Sequence, residues 1–183
     1  MTEVLIHRLT VEDYYLLAEE GRLTPDSRTE LLDGQIVNMF PIGPFHSDVV
    51  DWLSNLLVDR KRWTVRTQGP LRLSKFSVPE PDIMLLQPRR HNRALPGPKD
   101  VYLLIEVADS SLQMDKTKKV PLYAQAGIPE VWVVDVPHAL VEVYRDPTAA
   151  GYATRTIGRL GGTVSPASFP DVVLKTSEIF AQE

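Results

Sequence analysis

Three acids and a lysine stand at positions suited to a reaction site, although Glu30 taken alone reads as a solvated acid. Glu106 follows the apolar run Val101-Tyr102-Leu103-Leu104-Ile105, and an acid that interrupts a buried strand needs a partner or a proton. Asp82 comes straight after Pro79-Glu80-Pro81; the two prolines hold the backbone extended and fix the carboxylate at the entrance to the apolar run Ile83-Met84-Leu85-Leu86. Glu30 precedes an Asp33-Gly34 turn signal. Beyond Glu106, the residues Asp115, Lys119 and Tyr123 recur every fourth position, a spacing that sets them on one face of a helix. Carboxylates gathered at strand ends repel one another unless a cation or a shared proton intervenes. A hard divalent ion is the simplest resolution. Mg2+ takes oxygen ligands, commonly one or two protein carboxylates with water and phosphate oxygens completing its shell. It polarises a phosphoryl group and lowers the pKa of bound water. Lys119 would then stabilise the developing negative charge or orient the attacking water. The chemistry expected is hydrolysis of a phosphodiester by water, with no covalent intermediate and with Mn2+ able to replace Mg2+.

Such residues must be held by particular elements. Thr10 with Asp13 three positions on is a relative of the capping-box pattern, and it predicts a short helix over 11–20 that stops at Gly21. Asp33-Gly34 between apolar-rich arms predicts a hairpin within 28–39, with Glu30 near the start of its first strand. Helical spacing of Val49, Val50, Leu53, Leu56 and Leu57 predicts a longer helix over 46–62. His46, in its first turn, reads as a cap or surface residue. Strands are expected at 63–68, 71–73 and 83–86, followed by an unperiodic loop at 87–100 that carries the densest basic run, Arg89-Arg90-His91-Asn92-Arg93. That run reads as a solvated loop or as a phosphate-contacting arm. The unit 101–135 then gives a strand, a helix over about 113–126 kinked at Pro121, and a second strand at 131–134. Alternating strands follow at 140–144 and 152–157, joined by the Asp146-Pro147…Gly151 turn. The chain closes with a loop at 158–166, a turn and strand at 169–174 and a terminal helix over 176–180 capped by Thr176 or Ser177.

Bulk composition narrows the function. With 183 residues, 43% of them hydrophobic, the whole of 1–183 suits one domain with a real core. No apolar run reaches the length of a membrane span and the first residues lack a basic leader, so a cytoplasmic protein without a membrane partner is expected. Zero cysteines leave oxygen and histidine as the available metal ligands. A net charge of −4 argues against broad coating of nucleic acid, and less against a nuclease that receives one phosphodiester at a metal.

The quoted stretches carry a resemblance. Arg28-Thr29-Glu30-Leu31-Leu32-Asp33-Gly34, Pro81-Asp82-Ile83, Ile105-Glu106-Val107-Ala108-Asp109-Ser110-Ser111, and Asp115…Lys119…Tyr123 leading into Gly127-Ile128-Pro129-Glu130-Val131-Trp132 together resemble the Uma2 family (DUF820) of restriction endonucleases, within the PD-(D/E)xK nuclease superfamily. The likeness spans roughly residues 10 to 180. It implies an α/β fold of restriction-endonuclease type, a central mixed β-sheet flanked by helices, with an added N-terminal helix and hairpin. It also implies a metal held by Asp82, Glu106 and the backbone carbonyl of Val107, with Glu30 contributing, and a nucleic-acid substrate, DNA before RNA. One departure stands out: two residues after Glu106, where the general motif has its lysine, this chain has Ala108. In the resembling family the lysine has moved to the next helix, which here makes it Lys119.

Other readings stay open on the sequence alone. Asp115 and Lys119 also fit an ordinary surface pair worth about 0.3–0.5 kcal/mol, and Tyr123 fits a core aromatic with a wetted hydroxyl. The displaced lysine and the negative net charge also suit a nuclease fold kept as a silent binding or assembly module. A homodimer would give so small a domain more surface for holding a duplex. A carboxylate glycosidase would need an aromatic sugar platform, and the motif region offers none.

Overall fold

The structure is a computed structural model, described here for residues 7–23, 28–59 and 61–180. Residues 1–6, where the absence of a leader was read, and Arg60, inside the expected second helix, lie outside the described residues. The centre is a six-stranded sheet in the order β3 (Thr64–Thr67), β4 (Ile83–Leu86), β5 (Val101–Ala108), β6 (Glu130–Asp135), β7 (Leu140–Thr148) and β8 (Gly151–Arg159). All neighbours are antiparallel except β5 and β6. A parallel pair needs a crossover rather than a hairpin, and the helical residues between Glu106 and Trp132 supply it. The sheet is therefore mixed, with helices on both faces, as the resemblance implies.

Strand alternation sorts β5 onto two cores. Leu103, Ile105 and Val107 join the cluster under α2 (Pro44–Leu56), where Val49, Val50 and Leu53 pack. Leu104 and Ala108 join the opposite cluster, with Val120 and Tyr123 from the crossover. Glu106 shares the parity of Leu104 and Ala108, so it points at the crossover helix from inside an otherwise apolar face. A smaller cluster of Val11, Leu31 and Val78 fastens α1 (Val11–Glu19) to the hairpin of β1 (Thr29–Leu32) and β2 (Gln35–Asn38). Each fully buried Leu, Val or Ile contributes about 1.5–3 kcal/mol relative to exposure, so these clusters define rigid walls for anything placed between them.

The local signals explain most of these elements. Thr10 accepts from the Asp13 N–H while Asp13 accepts from the Thr10 N–H, completing the capping box of α1. Asp33 and Gly34 both take positive φ, 51° and 77°, as a two-residue hairpin turn requires. A side chain at Gly34 would also collide with the backbone of Arg8.

Five elements differ from the sequence expectation, and the crossover differs as well. The second helix begins at Pro44 and ends at Leu56 rather than spanning 46–62. Proline suits the first helical turn, and at the far end the Asp59 carboxylate accepts the N–H groups of Lys61 and Arg62, a local turn that competes with helix. Residues 71–73 form no strand: Leu71 and Arg72 donate to Pro79 and Pro96, and prolines have no N–H to return. The last hairpin is longer than expected, running through Pro147, which pairs with Tyr152 on the sheet. Thr163–Val164, expected in a loop, forms β9 against β10 (Leu174–Lys175), and the terminal helix α5 (Thr176–Ile179) is capped at Lys175. Thr176 is buried instead, its hydroxyl donating to the Arg159 carbonyl at 2.7 Å.

The crossover differs in kind. It runs as α3 (Leu112–Met114), a π-helical turn at Asp115–Lys119 and α4 (Val120–Gln125). The Val120 N–H donates to the Asp115 carbonyl, five residues back. Pro121 cannot donate to an α-helical acceptor, and the wider turn absorbs that loss without breaking the helix. The expected kink is thus a π insertion. Its consequence is that Asp115, Lys119 and Tyr123 are all buried.

Candidate active site

The acids and the lysine converge. Lys119 Nζ lies 3.0 Å from Glu30 Oε1 and 3.3 Å from Glu106 Oε2. The Tyr123 hydroxyl donates to the other Glu106 oxygen. Glu30 Oε1 also accepts the Glu80 N–H at 2.7 Å. The hairpin places it there because Leu31 bridges Val78, so β1 lies against the proline-held segment leading to β4. Asp82 is fixed by the Val107 N–H, which donates to its Oδ2 at 2.8 Å. The register Ile83↔Ile105, carried two residues back, sets Pro81 opposite Val107. Pro81 has no N–H for the Val107 carbonyl, and the side chain of Asp82 takes the Val107 N–H that Pro81's carbonyl would otherwise receive.

Glu30, Asp82, Glu106, Asp115, Lys119 and His46 line one pocket between the sheet end, the hairpin and the crossover helix. The structure therefore brings Glu30, Asp82, Glu106 and Lys119 together, with Val107 outside the lining but bonded through its N–H to Asp82, and adds His46. Read as a cap or surface residue, His46 has a ring only 12% exposed, with Nε2 3.2 Å from Asp82 Oδ1. The signal was present in the helical stripe: His46 precedes Val49, Val50 and Leu53 by three, four and seven residues and shares their inward face. The surface-pair reading of Asp115 and Lys119 is corrected, since they are 2% and 6% exposed. The Tyr123 hydroxyl is likewise not wetted, because Glu106 takes it inside the protein.

Four carboxylates thus surround one ammonium. Burial pushes the Glu106 carboxyl well above the usual range; Lys119 opposes this, and the charges of Asp115, Asp82 and Glu30 add to it. Burial likewise pushes Asp115 up to about 6. Lys119 would lose its proton more easily through burial alone, but Glu106, Glu30, Asp115 and Asp82 together outweigh that and hold it charged well beyond the ordinary lysine range. For His46 burial also works against the proton, and the hydrogen bond and charge of Asp82, with Asp109 and Asp115 behind it, raise the pKa overall. Such a cluster is rich in negative charge and short of cations.

A six-stranded mixed sheet with helices on both faces and a buried acid–lysine cluster at one sheet end defines the class, a nuclease-fold α/β protein. The profile of the Uma2 family, described as "Putative restriction endonuclease", matches residues 11–177, and the chain belongs to that family. The fold is shared with a solved protein from Anabaena variabilis ATCC 29413, described as "a putative nuclease belonging to DUF820": TM-score 0.68, 17% identity, covering 94% of this chain and 98% of that one. No curated protein matches the chain in sequence.

Proposed function

We propose that this protein is a Mg2+-dependent endonuclease that hydrolyses phosphodiester bonds of DNA with water as the nucleophile. The observation that carries the reading is the single pocket in which Asp82, Glu106 and Glu30 gather around the buried Lys119. Family membership and the nuclease fold support it.

The donor set fits the metal. Among the described residues no three His, Asp or Glu side chains form a metal cage by themselves. Mg2+ asks for less, one or two carboxylates with the remaining positions given to carbonyl, water and phosphate oxygens. Asp82 and Glu106 would supply the carboxylates, and the Val107 carbonyl, facing a proline in the register, would supply a third oxygen. Bound there, Mg2+ would polarise the phosphoryl group and ease ionisation of a water.

The chain's own residues do the rest. The Val107 N–H holds Asp82 in place, and Tyr123 with Lys119 fixes both oxygens of Glu106. Lys119 keeps its proton at any ordinary pH and lies at the pocket wall, where a fixed ammonium stabilises negative charge that develops on the phosphoryl oxygens. Although Lys119 stands on the crossover helix rather than on the strand, its ammonium reaches Glu106 at 3.3 Å from the π turn. Glu30 orients Lys119 through the 3.0 Å pair. His46 acts on Asp82 from the opposite side.

The test is a pair of measurements on the parent and on Asp82→Asn. Calorimetric titration with Mn2+ should give saturable binding for the parent and weaker binding for the variant. Relaxation of supercoiled plasmid with Mg2+ or Mn2+ should follow the same order. Undiminished metal binding and cleavage by Asp82→Asn would overturn this assignment, and cleavage by neither protein alongside normal metal binding would favour the silent module.

A further inference from the structure

The geometry points to a second nucleic-acid contact: a phosphate-binding recess built by Arg66, Arg89, Arg90 and His91 on the free edge of the sheet, which takes the sugar-phosphate backbone several nucleotides from the bond that is cut. This deepens the reading above and rests on it for the identity of the ligand.

The recess is lined by Thr64, Arg66, Arg89, Arg90, His91 and Asn92, with Pro88 between them. It contains three arginines and no acid on its wall, in a chain whose net charge is −4. Arg66 and Arg90 make no ion pair among the described residues. Arg89 is held by the buried Asp100, which also accepts the Gly97 N–H at 2.9 Å. Asp100 thus anchors the loop and its first arginine while leaving the other two uncommitted.

His91 is the independent sign of a ligand. Its side chain is 4% exposed, and Nε2 is buried with no hydrogen-bond partner. Leaving a buried polar atom unpaired costs free energy, and a phosphate oxygen, or a water it carries, would satisfy that atom. Asp100 Oδ2 lies 3.9 Å from Nδ1 on the other side of the ring. Burial lowers the pKa of the ring, Asp100 works against that, and Arg66 and Arg89 add to the lowering. The balance favours the neutral ring, which contributes a hydrogen-bonding atom while the arginines supply the charge.

The placement relative to the candidate active site gives the recess its role. Arg66 is opposite Met84 in the β3–β4 register, and Met84 belongs to the same sheet face as Leu104 and thus as Glu106. Thr64 is opposite Leu86. Four residues separate Leu86 from Asp82, about 13 Å at roughly 3.3 Å per strand residue. A duplex rises about 3.4 Å per nucleotide along its axis, so a duplex lying along β4 would cover that distance in about four base pairs. β3 is the sheet's edge strand, so nothing in the central sheet stands beyond it. Arginine suits phosphate because its planar fork donates two parallel hydrogen bonds.

The experiment measures binding separately from cleavage. A short labelled DNA duplex is titrated by fluorescence anisotropy, over a series of salt concentrations, with the parent, with Arg66→Gln/Arg90→Gln, and with Arg159→Gln/Lys175→Gln, which removes the same charge far from the recess. The first pair should weaken binding by about tenfold or more and lower the log–log salt slope by about 2, since each lost phosphate contact removes about 0.9. The control pair should leave slope and affinity near the parent's. Parent-like slope in the recess variant, an equal loss in the control, or no salt-dependent binding by the parent would each overturn the inference. Arg90→Glu, a single change at an exposed position, repeats the test with the same change in charge and should also weaken binding. Hydrolysis of a small phosphodiester by the parent reads the catalytic assignment by itself: binding with the predicted slope but no hydrolysis removes that assignment and keeps the recess.

Discussion

Two buried glutamates lie on the same face of the sheet, and their surroundings differ in the charges that reach them. Glu106 pairs in register with Val133, and Val133 with Glu142, so the two acids stand two strands apart, about 10 Å. Each receives a lysine from the π turn and a tyrosine hydroxyl: Lys119 and Tyr123 for Glu106, Lys116 and Tyr144 for Glu142. Glu142 has Arg155 as well, donating to Oε2 at 2.9 Å. Burial would raise the Glu142 carboxyl, but the hydrogen bonds from Lys116, Tyr144 and Arg155 bring it below the usual range. Glu106 must share its one cation with Glu30, and its carboxyl is pushed up. Glu142 is a satisfied structural acid that ties the crossover to β7 and β8. Glu106 is short of positive charge and opens onto a pocket. Burial together with the shortage of cations pushes the Glu106 carboxyl up, and three donors bring the Glu142 carboxyl down; under the proposed function that difference marks Glu106 as the acid for chemistry.

The comparison breaks most visibly at the lysines. Lys119→Met leaves Glu30 and Glu106 buried without their cation and should destabilise the protein by about 3–5 kcal/mol in urea unfolding. Lys116→Met removes a partly exposed side chain from an acid that keeps Arg155, and should cost about 0–1 kcal/mol. Equal losses would mean that the two glutamates are equivalent.

The next effect is on pH. Asp115 holds its proton to about pH 6 in the folded protein against 3.8 as its ordinary value. Between those values the folded state binds more protons than the unfolded one, so stability falls as pH rises, by roughly 3 kcal/mol in total. Asp115→Asn should lack that decline, and unfolding midpoints of the two proteins across the interval would show it. A parent whose stability rises over the same interval would contradict the assignment.

The smallest effects sharpen the comparison at the tyrosines. Tyr123→Phe removes one of two partners of a buried carboxylate and should cost about 1.5–3 kcal/mol, the range for hydrogen bonds to charged groups. Tyr144→Phe leaves Glu142 two cations and should cost about 1 kcal/mol or less.

Much of this was legible in the residues themselves. Glu106 announced itself as an acid in an apolar run, the prolines fixed where Asp82 must stand, and Asp33-Gly34 placed Glu30 on a hairpin. Those signals are local, and local chemistry survives folding. The π turn was not legible, because Pro121 reports only that an α-helical bond is lost and the tertiary packing decides how the helix absorbs it. His46 was missed because its partner, Asp82, lies 36 positions away in the sequence. The Glu142 cluster was invisible for the same reason, since it joins the crossover to β7 and β8.

Cleavage of supercoiled plasmid with Mn2+ by Glu106→Gln and Glu142→Gln, each compared with the parent at equal folded concentration, separates the roles of the two glutamates. Each substitution replaces one buried carboxyl by an amide on the same face of the same sheet. The account predicts that Glu106→Gln abolishes cleavage while Glu142→Gln keeps it within a few-fold of the parent; cleavage that survives in Glu106→Gln, or is lost equally in both, would contradict it.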